Sequence, residues 1–154
     1  MPDIRLPLVI ELGGVALDEL SLDGETTLLS DLYLQTGSQR GRLLVHEFSG
    51  KGPDLSWQLQ GEVAMYGQWP LTLTGRLQLP PVDERDWVLD VNAGGTLEKL
   101  ALAVTSEGYL SGQLQGQLEP FKPGLPASLQ WRGDAFFPYS GVPATLTLDD
   151  WTVT

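Results

Sequence analysis

The sequence predicts an all-β protein whose strands form one long antiparallel sheet with an apolar face and a polar face. Four stretches alternate apolar and small polar residues and carry a glycine in the apolar register: Leu59–Val63, Leu73–Leu77, Leu110–Leu114 and Leu114–Leu118. Alternation with a period of two is typical of a strand that is apolar on one side only. The 18 glycines and 11 prolines among 154 residues fit many turns. No stretch has the helical period of about 3.6 residues.

The first strand is expected over residues 6–12, where Gly13–Gly14 interrupts the apolar alternation. The apolar phase slips at Asp18–Glu19, which predicts a bulge or a tight turn there. A second strand follows over residues 28–34, between the turn residues Asp23–Gly24 and those at 36–38.

The third strand, over residues 42–48, is predicted without a defined phase. Either Leu43 and Val45 face the apolar side, or Leu44, His46 and Phe48 do. The sequence leaves both possibilities open, because each alternates with a period of two.

The middle of the chain predicts two long strands, over residues 55–65 and 69–79, joined by a turn at Gly67–Gln68. A turn is expected over Gly50–Asp54, and a proline-containing loop over Pro80–Asp86.

The second half of the chain is similar to the first. Gly94–Gly95 is followed by Leu97–Leu102, much as Gly13–Gly14 is followed by Leu17–Leu22. This predicts an internal repeat, over about residues 6–79 and 87–154. Residues 1–154 as a whole are expected to be a single segment of a longer repetitive β-groove domain. Further strands are expected near residues 110–118, 129–135 and 146–148, with loops over 121–126 and 138–143, which gives ten to twelve strands in all.

The apolar register of these strands supplies the candidate lining of a groove. Glycines in that register indicate either bends in the sheet or places where something packs close to the backbone. Charged residues on the clearest strands fall in the opposite, outward register: Glu62, Arg76, Asp90, Arg132 and Asp134. The predicted lipid-binding, groove-lining residues are Leu55, Trp57, Leu59, Val63, Leu71, Leu73, Leu77, Leu89, Val91, Leu102, Leu110, Leu114, Leu118, Leu129 and Trp131.

No motif in the chain supports catalysis, so we expect a protein that is not an enzyme and that has no catalytic residues, metal site or cofactor. The only histidine, His46, is not accompanied by a serine nucleophile motif. Zinc sites need several ligands at fixed spacing, and the chain has no cysteine. The charged run Asp83–Asp86 does not have the spacing of a calcium-binding loop, and a solvated loop explains it.

The formal net charge of −11 and the pI of about 4.2 argue against binding to nucleic acid or directly to an anionic membrane surface. No apolar run reaches the roughly 20 residues of a membrane-spanning helix. The apolar run at residues 6–10 has no basic flank or cleavage site of a signal peptide. If the protein is exported, the chain is expected to be an excised segment.

The order of several motifs resembles the TamB proteins, in the AsmA-like group of bridge-like lipid transfer proteins. The likeness covers nearly the whole chain and rests on Leu6–Leu8, Val15–Leu22, Gly50–Gly61, Trp69–Gly75, Gly95–Leu102, Gly108–Gly116 and Leu125–Trp131. The resemblance implies a long sheet folded lengthwise into a taco-like groove with an apolar lining.

The same resemblance implies a periplasmic segment of a protein that is anchored in the inner membrane. Such proteins conduct phospholipid between the inner and outer membranes, and TamB works with the outer-membrane barrel TamA in the translocation and assembly module of outer-membrane biogenesis. The expected partners are therefore phospholipid acyl chains and, through the full-length protein, a TamA-like barrel. Outer-membrane protein strands are an alternative substrate that the sequence does not separate from lipid. The alternative fold is a closed β-sandwich that acts as an interaction or glycan-binding module without catalysis.

Overall fold

The computed structural model of the chain describes residues 10–22, 26–122, 124–136 and 148–153. They form ten antiparallel strands that pair in chain order in one sheet. The strands are β1 (Ile10–Leu22), β2 (Thr26–Gln39), β3 (Arg42–Gly52), β4 (Leu55–Ala64), β5 (Pro70–Val82), β6 (Arg85–Thr96), β7 (Leu100–Gly108), β8 (Gly112–Leu118), β9 (Ala127–Phe136) and β10 (Leu148–Val153).

The sheet is a single layer and is not closed into a barrel. Within the described residues each strand contacts only the strands that precede and follow it, so β1 and β10 are the edge strands. Few apolar side chains are buried, and no described side chain is less than 2% exposed. The predicted fold is therefore confirmed as an all-β, antiparallel, amphipathic sheet, consistent with a curled taco-like arrangement. A sandwich would need a second layer, which the described residues do not form.

The strand register places the apolar residues of successive strands opposite one another. One row across the sheet runs through paired residues of β4 to β9: Leu59, Gly75, Val91, Val104, Leu114 and Trp131. Directly paired residues of neighbouring strands point to the same face of a sheet. The apolar alternation of each strand is thus joined into one continuous face.

A bulge determines the phase of β3. Val45 pairs with Gly61, but Phe48 pairs with the next-but-one residue of β4, Leu59, so β3 contains one extra residue between them. Leu43, Val45 and Phe48 therefore share the apolar face, although Val45 and Phe48 are an odd number of residues apart. Each of the two predicted phases is right for part of the strand, because the extra residue at the bulge reverses the alternation.

Three predicted turns differ in the structure: the one expected at residues 36–38 is wrong, because these residues lie within β2 and the chain turns at 40–41, and two others are shorter than expected. β5 continues through Pro80 and Pro81 to Val82, and the turn to β6 contains only Asp83 and Glu84, which have φ angles of 51° and 62°. The two prolines lie where the register between β5 and β6 shifts, and an irregular pair tolerates their missing N–H groups. β3 likewise reaches Gly52, so its turn is reduced to residues 53–54.

The two glycine pairs begin alike and then differ. Gly14 and Gly95 have similar φ angles, 137° and 131°, which L residues rarely adopt. After Gly14, β1 continues without a turn to Leu22, whereas after Gly95 the chain turns at residues 97–99 into β7. The expected slip at Asp18–Glu19 is wrong in position, because the register shifts lie between residues 12 and 15 and between 20 and 21. The wider repeat, 6–79 and 87–154, stays a prediction.

Several predicted features lie outside the described residues. These are the first part of the first strand (6–9), the turn at Asp23–Gly24, and the loop over 138–143.

Candidate apolar binding face

The apolar face carries no charged side chain from β3 to β9 in the part of the chain that the structure describes. The described strand residues of the face from β3 to β9 include one hydroxyl, at Ser106, which is buried and paired: it accepts a hydrogen bond from Trp87 Nε1 at 3.0 Å and donates one to the Leu110 carbonyl at 2.5 Å. From the register, the face comprises Leu43, Val45, Phe48, Gly50, Gly52, Leu55, Trp57, Leu59, Gly61, Val63, Leu71, Leu73, Gly75, Leu77, Leu79, Trp87, Leu89, Val91, Ala93, Gly95, Leu100, Leu102, Val104, Ser106, Gly108, Gly112, Leu114, Gly116, Leu118, Ala127, Leu129, Trp131 and Gly133.

The structure brings the predicted lining residues together on this face, with one exception in position. Leu110 lies in the connection between β7 and β8, not in a strand. Trp131 is buried, at 7% exposure, and the other lining residues are half-buried. Their role in binding lipid stays a prediction. Sequence alternation missed Leu43, Val45 and Phe48, because the bulge in β3 hides their common phase.

Four glycines of the apolar face, Gly50, Gly75, Gly112 and Gly116, lie beneath large side chains of the neighbouring strands. A Cβ atom at Gly116 would be 2.5 Å from Leu129 Cδ2, and one at Gly112 would be 2.7 Å from Trp131 Cη2. A Cβ atom at Gly75 would collide with Leu59 Cδ2. At these glycines the groups that pack close to the backbone are the protein's own leucine and tryptophan side chains, which makes the face flatter. The sequence showed that glycines lie in the apolar register, but it could not show which groups pack against them.

Aromatic side chains occupy the part of the face near the turns after β3, β5 and β7. The rings of Phe48 and Trp57 are 5.8 Å apart, and those of Trp87 and Tyr109 are 5.6 Å apart. Trp57 Nε1 is buried without a hydrogen-bond partner. An unpaired N–H in an apolar environment is unfavourable by about 1–3 kcal/mol, which an acceptor or a water molecule would offset.

The opposite face carries the charged side chains in ion pairs that cross between strands. Arg76 Nε and Nη2 donate to Asp90 Oδ1 and Oδ2 at 2.8 and 3.0 Å. The hydrogen bonds from Arg76 hold the pKa of Asp90 below its usual value, and the partial loss of hydration opposes this effect. The outward positions predicted for Glu62, Arg76 and Asp90 are thus confirmed, and Arg132 pairs with Gln113 on the same face. The side chain of Asp134 lies outside the described part of the structure.

The polar face has shallow depressions that the sequence did not indicate. One, of about 560 Å³, is lined partly by His46, Gln58, Gln60 and Thr74. Another, of about 850 Å³, lies over β5 to β9 and has amide and hydroxyl side chains in its walls. Depressions on this face follow from the twist of a sheet, which makes each face concave along one diagonal.

The described residues include no cluster of three or more residues that could hold a metal ion. His46 is exposed beside the bulge of β3. Among the described residues no helix is long and apolar enough to cross a membrane.

Nearly the whole chain matches one protein-family model, described as TamB, N-terminal domain, over residues 1–148. The chain belongs to the TamB family. This confirms the resemblance seen in the order of the sequence motifs. The family is a transport and assembly module of the cell envelope and is associated with membranes. No curated protein and no solved structure matches the chain.

Proposed function

We propose that this TamB-family chain conducts phospholipid, with the acyl chains lying on the apolar face of the sheet. The observation that carries the proposal is the composition of that face from β3 to β9, which has no charge and is covered by no second layer of described residues. A soluble protein rarely leaves so large an apolar surface without a partner.

The chemistry of the face suits a ligand that must bind and also move. Each CH₂ group of an acyl chain that leaves water contributes about 0.8 kcal/mol. Dispersion and desolvation are not directional, and the one hydroxyl among the described strand residues of the face from β3 to β9, at Ser106, is already paired within the protein. An acyl chain therefore meets no specific polar contact that it would have to break when it slides along the leucine side chains.

Membership of the TamB family supports the wider setting of the proposal. The full-length protein would be anchored in the inner membrane, extend through the periplasm and deliver lipid toward an outer-membrane barrel of the TamA type. The apolar face itself favours phospholipid over unfolded outer-membrane strands, because it offers only side-chain contacts, whereas such a strand would pair with the backbone of an edge strand such as β1 or β10.

Lipid retention by point variants tests the proposal. The chain would be produced in bacteria and purified without detergent, and native mass spectrometry would detect bound phospholipid. Leu114→Arg places a charge in the middle of the apolar face, beside Trp131 and Val104. Gln115→Arg is the matched control, because the neighbouring residue points to the polar face and is exposed.

We expect phospholipid on the wild type and on Gln115→Arg, and its loss from Leu114→Arg with unchanged strand content by circular dichroism. Leu73→Arg, with Thr74→Arg as its control, should repeat the pattern at β5. A lipid-free wild type that also excludes a hydrophobic dye would contradict the proposal, because its apolar face would then be covered by protein.

A further inference from the structure

The connections between strands lie at two different edges of the sheet. Because consecutive antiparallel strands reverse direction, the connections after β2, β4, β6 and β8 share one edge, called here the even edge. Those after β3, β5 and β7 share the other, the odd edge. Backbone hydrogen bonds join neighbouring connections of the even edge: Met65 N donates to Gly41 O at 2.9 Å, and Leu97 N donates to Trp69 O at 3.3 Å.

The described connections at the two edges differ in charge. The odd edge has three carboxylates and no basic residue, and the even edge has three basic residues and two carboxylates. The odd-edge residues are Asp54, Asp83 and Glu84, and those of the even edge are Arg40, Lys99, Lys122, Glu98 and Glu119. Lys122 is paired with Glu119. Arg40 and Lys99 make no ion pair within the described part of the chain.

The even edge also carries exposed apolar side chains beside its basic residues. Tyr66, Phe121 and Leu125 are 39%, 61% and 66% exposed. No large apolar side chain is exposed to this degree in the described connections of the odd edge. Basic and aromatic residues side by side are typical of protein surfaces that contact the boundary between lipid headgroups and acyl chains.

We infer that the even edge holds the phosphate of the bound phospholipid, with the acyl chains extending from it onto the apolar face. The inference rests on the proposed function and adds an orientation to it. A phosphodiester is an anion, and the carboxylates of the odd edge repel it. The chain as a whole is acidic, with a formal net charge of −11. A lipid phosphate therefore needs local basic residues, and Arg40 and Lys99, which make no ion pair with another described residue, provide them.

Two double variants of equal net charge test this orientation. Arg40→Asn with Lys99→Gln removes two positive charges from the even edge. Lys51→Gln with Arg85→Gln removes two from positions that flank the connections of the odd edge. Arg40 and Gly41 both have positive φ angles, 52° and 78°. Asparagine followed by glycine is favoured in such a turn, so the even-edge variant should fold.

The probes are dioctanoyl phosphatidylglycerol and dioctanoylglycerol, which has the same acyl chains without the phosphate. Binding would be followed by the tryptophan fluorescence of the apolar face. The even-edge variant should bind phosphatidylglycerol about tenfold more weakly than the wild type and bind dioctanoylglycerol equally well. The odd-edge variant should differ from the wild type by less than about twofold for either ligand.

Equal loss of phosphatidylglycerol binding in both variants, or no loss in the even-edge variant, would overturn the orientation and leave the proposed function standing. A wild type that binds neither ligand would instead overturn the proposed function itself.

Discussion

Replacement of Gly75 by alanine tests whether the glycines of the apolar face are required by packing. Gly75 lies in β5 opposite Leu59 of β4. A Cβ atom there would collide with Leu59 Cδ2, and it would be 2.7 Å from the Gln58 carbonyl oxygen and 3.1 Å from Leu59 Cα. Two of these three atoms belong to the backbone of β4, so a change of rotamer does not relieve the overlap. The strands would have to move apart or break their hydrogen bonds.

The magnitude follows from a comparison with Gly94→Ala. A Cβ atom at Gly94, in β6, would have one neighbour, the Leu71 carbonyl oxygen at 3.9 Å. Neither glycine has a positive φ angle. Both replacements therefore gain about 0.4–1 kcal/mol from the reduced entropy of the unfolded chain. Only Gly75→Ala also has the overpacking penalty of about 1–3 kcal/mol. The free energies of unfolding of the two variants should differ by that penalty.

Urea unfolding followed by circular dichroism would measure the difference, with the slope of the transition as a check that both variants unfold alike. For a chain of this length, each 1 kcal/mol corresponds to a change in melting temperature of about 2–4 °C. We expect Gly94→Ala to be slightly more stable than the wild type and Gly75→Ala to be less stable. Equal stability of the two variants would refute the argument that close approach of the strands requires glycine at position 75.

Two further predictions concern polar groups. Trp87→Phe should destabilise the protein by about 1 kcal/mol more than Trp57→Phe in urea unfolding. The reason is that, of the two indole N–H groups, only that of Trp87 donates a hydrogen bond, to Ser106. A larger loss of stability in Trp57→Phe would contradict this reasoning. The pKa of Asp90 is lowered from its ordinary value of 3.8 by the hydrogen bond from Arg76, so their pairing stabilises the protein above about pH 4 and is lost as the pH falls through the folded-state pKa. The melting temperature of Asp90→Asn should thus be below that of the wild type at pH 6, and the difference should shrink toward pH 2; a difference that is constant with pH would contradict this assignment.

The faces of the central strands could be read from the sequence because alternation is a local property. Leu59, Leu73 and Leu114 each lie in a run with a period of two, and the structure places all three on one face. The outward positions of Arg76 and Asp90 followed from the same runs. The order of the motifs also identified the family, because the spacing of strands and turns along a chain does not depend on how the strands pair.

The sequence misplaced features where pairing between strands overrides local preference. Pro80 and Pro81 indicated a loop, but an irregular pairing with β6 keeps them within β5. The phase of β3 could not be settled from its own residues, because the extra residue between Val45 and Phe48 is defined only by what lies opposite on β4.

The sequence by itself determined that the chain is all-β, which residues alternate, and that it has the motif order of the TamB family. The tertiary structure decided the register, the groups that cover each glycine, the single-layer arrangement and the two edges of unlike charge. Residues such as Arg40 and Lys99 are 59 positions apart in the chain, and they share an edge only because each pair of added antiparallel strands returns the chain to the same side. Side-chain alternation is fixed by the geometry of one strand, whereas these features arise from pairing between strands, and no local pattern encodes them.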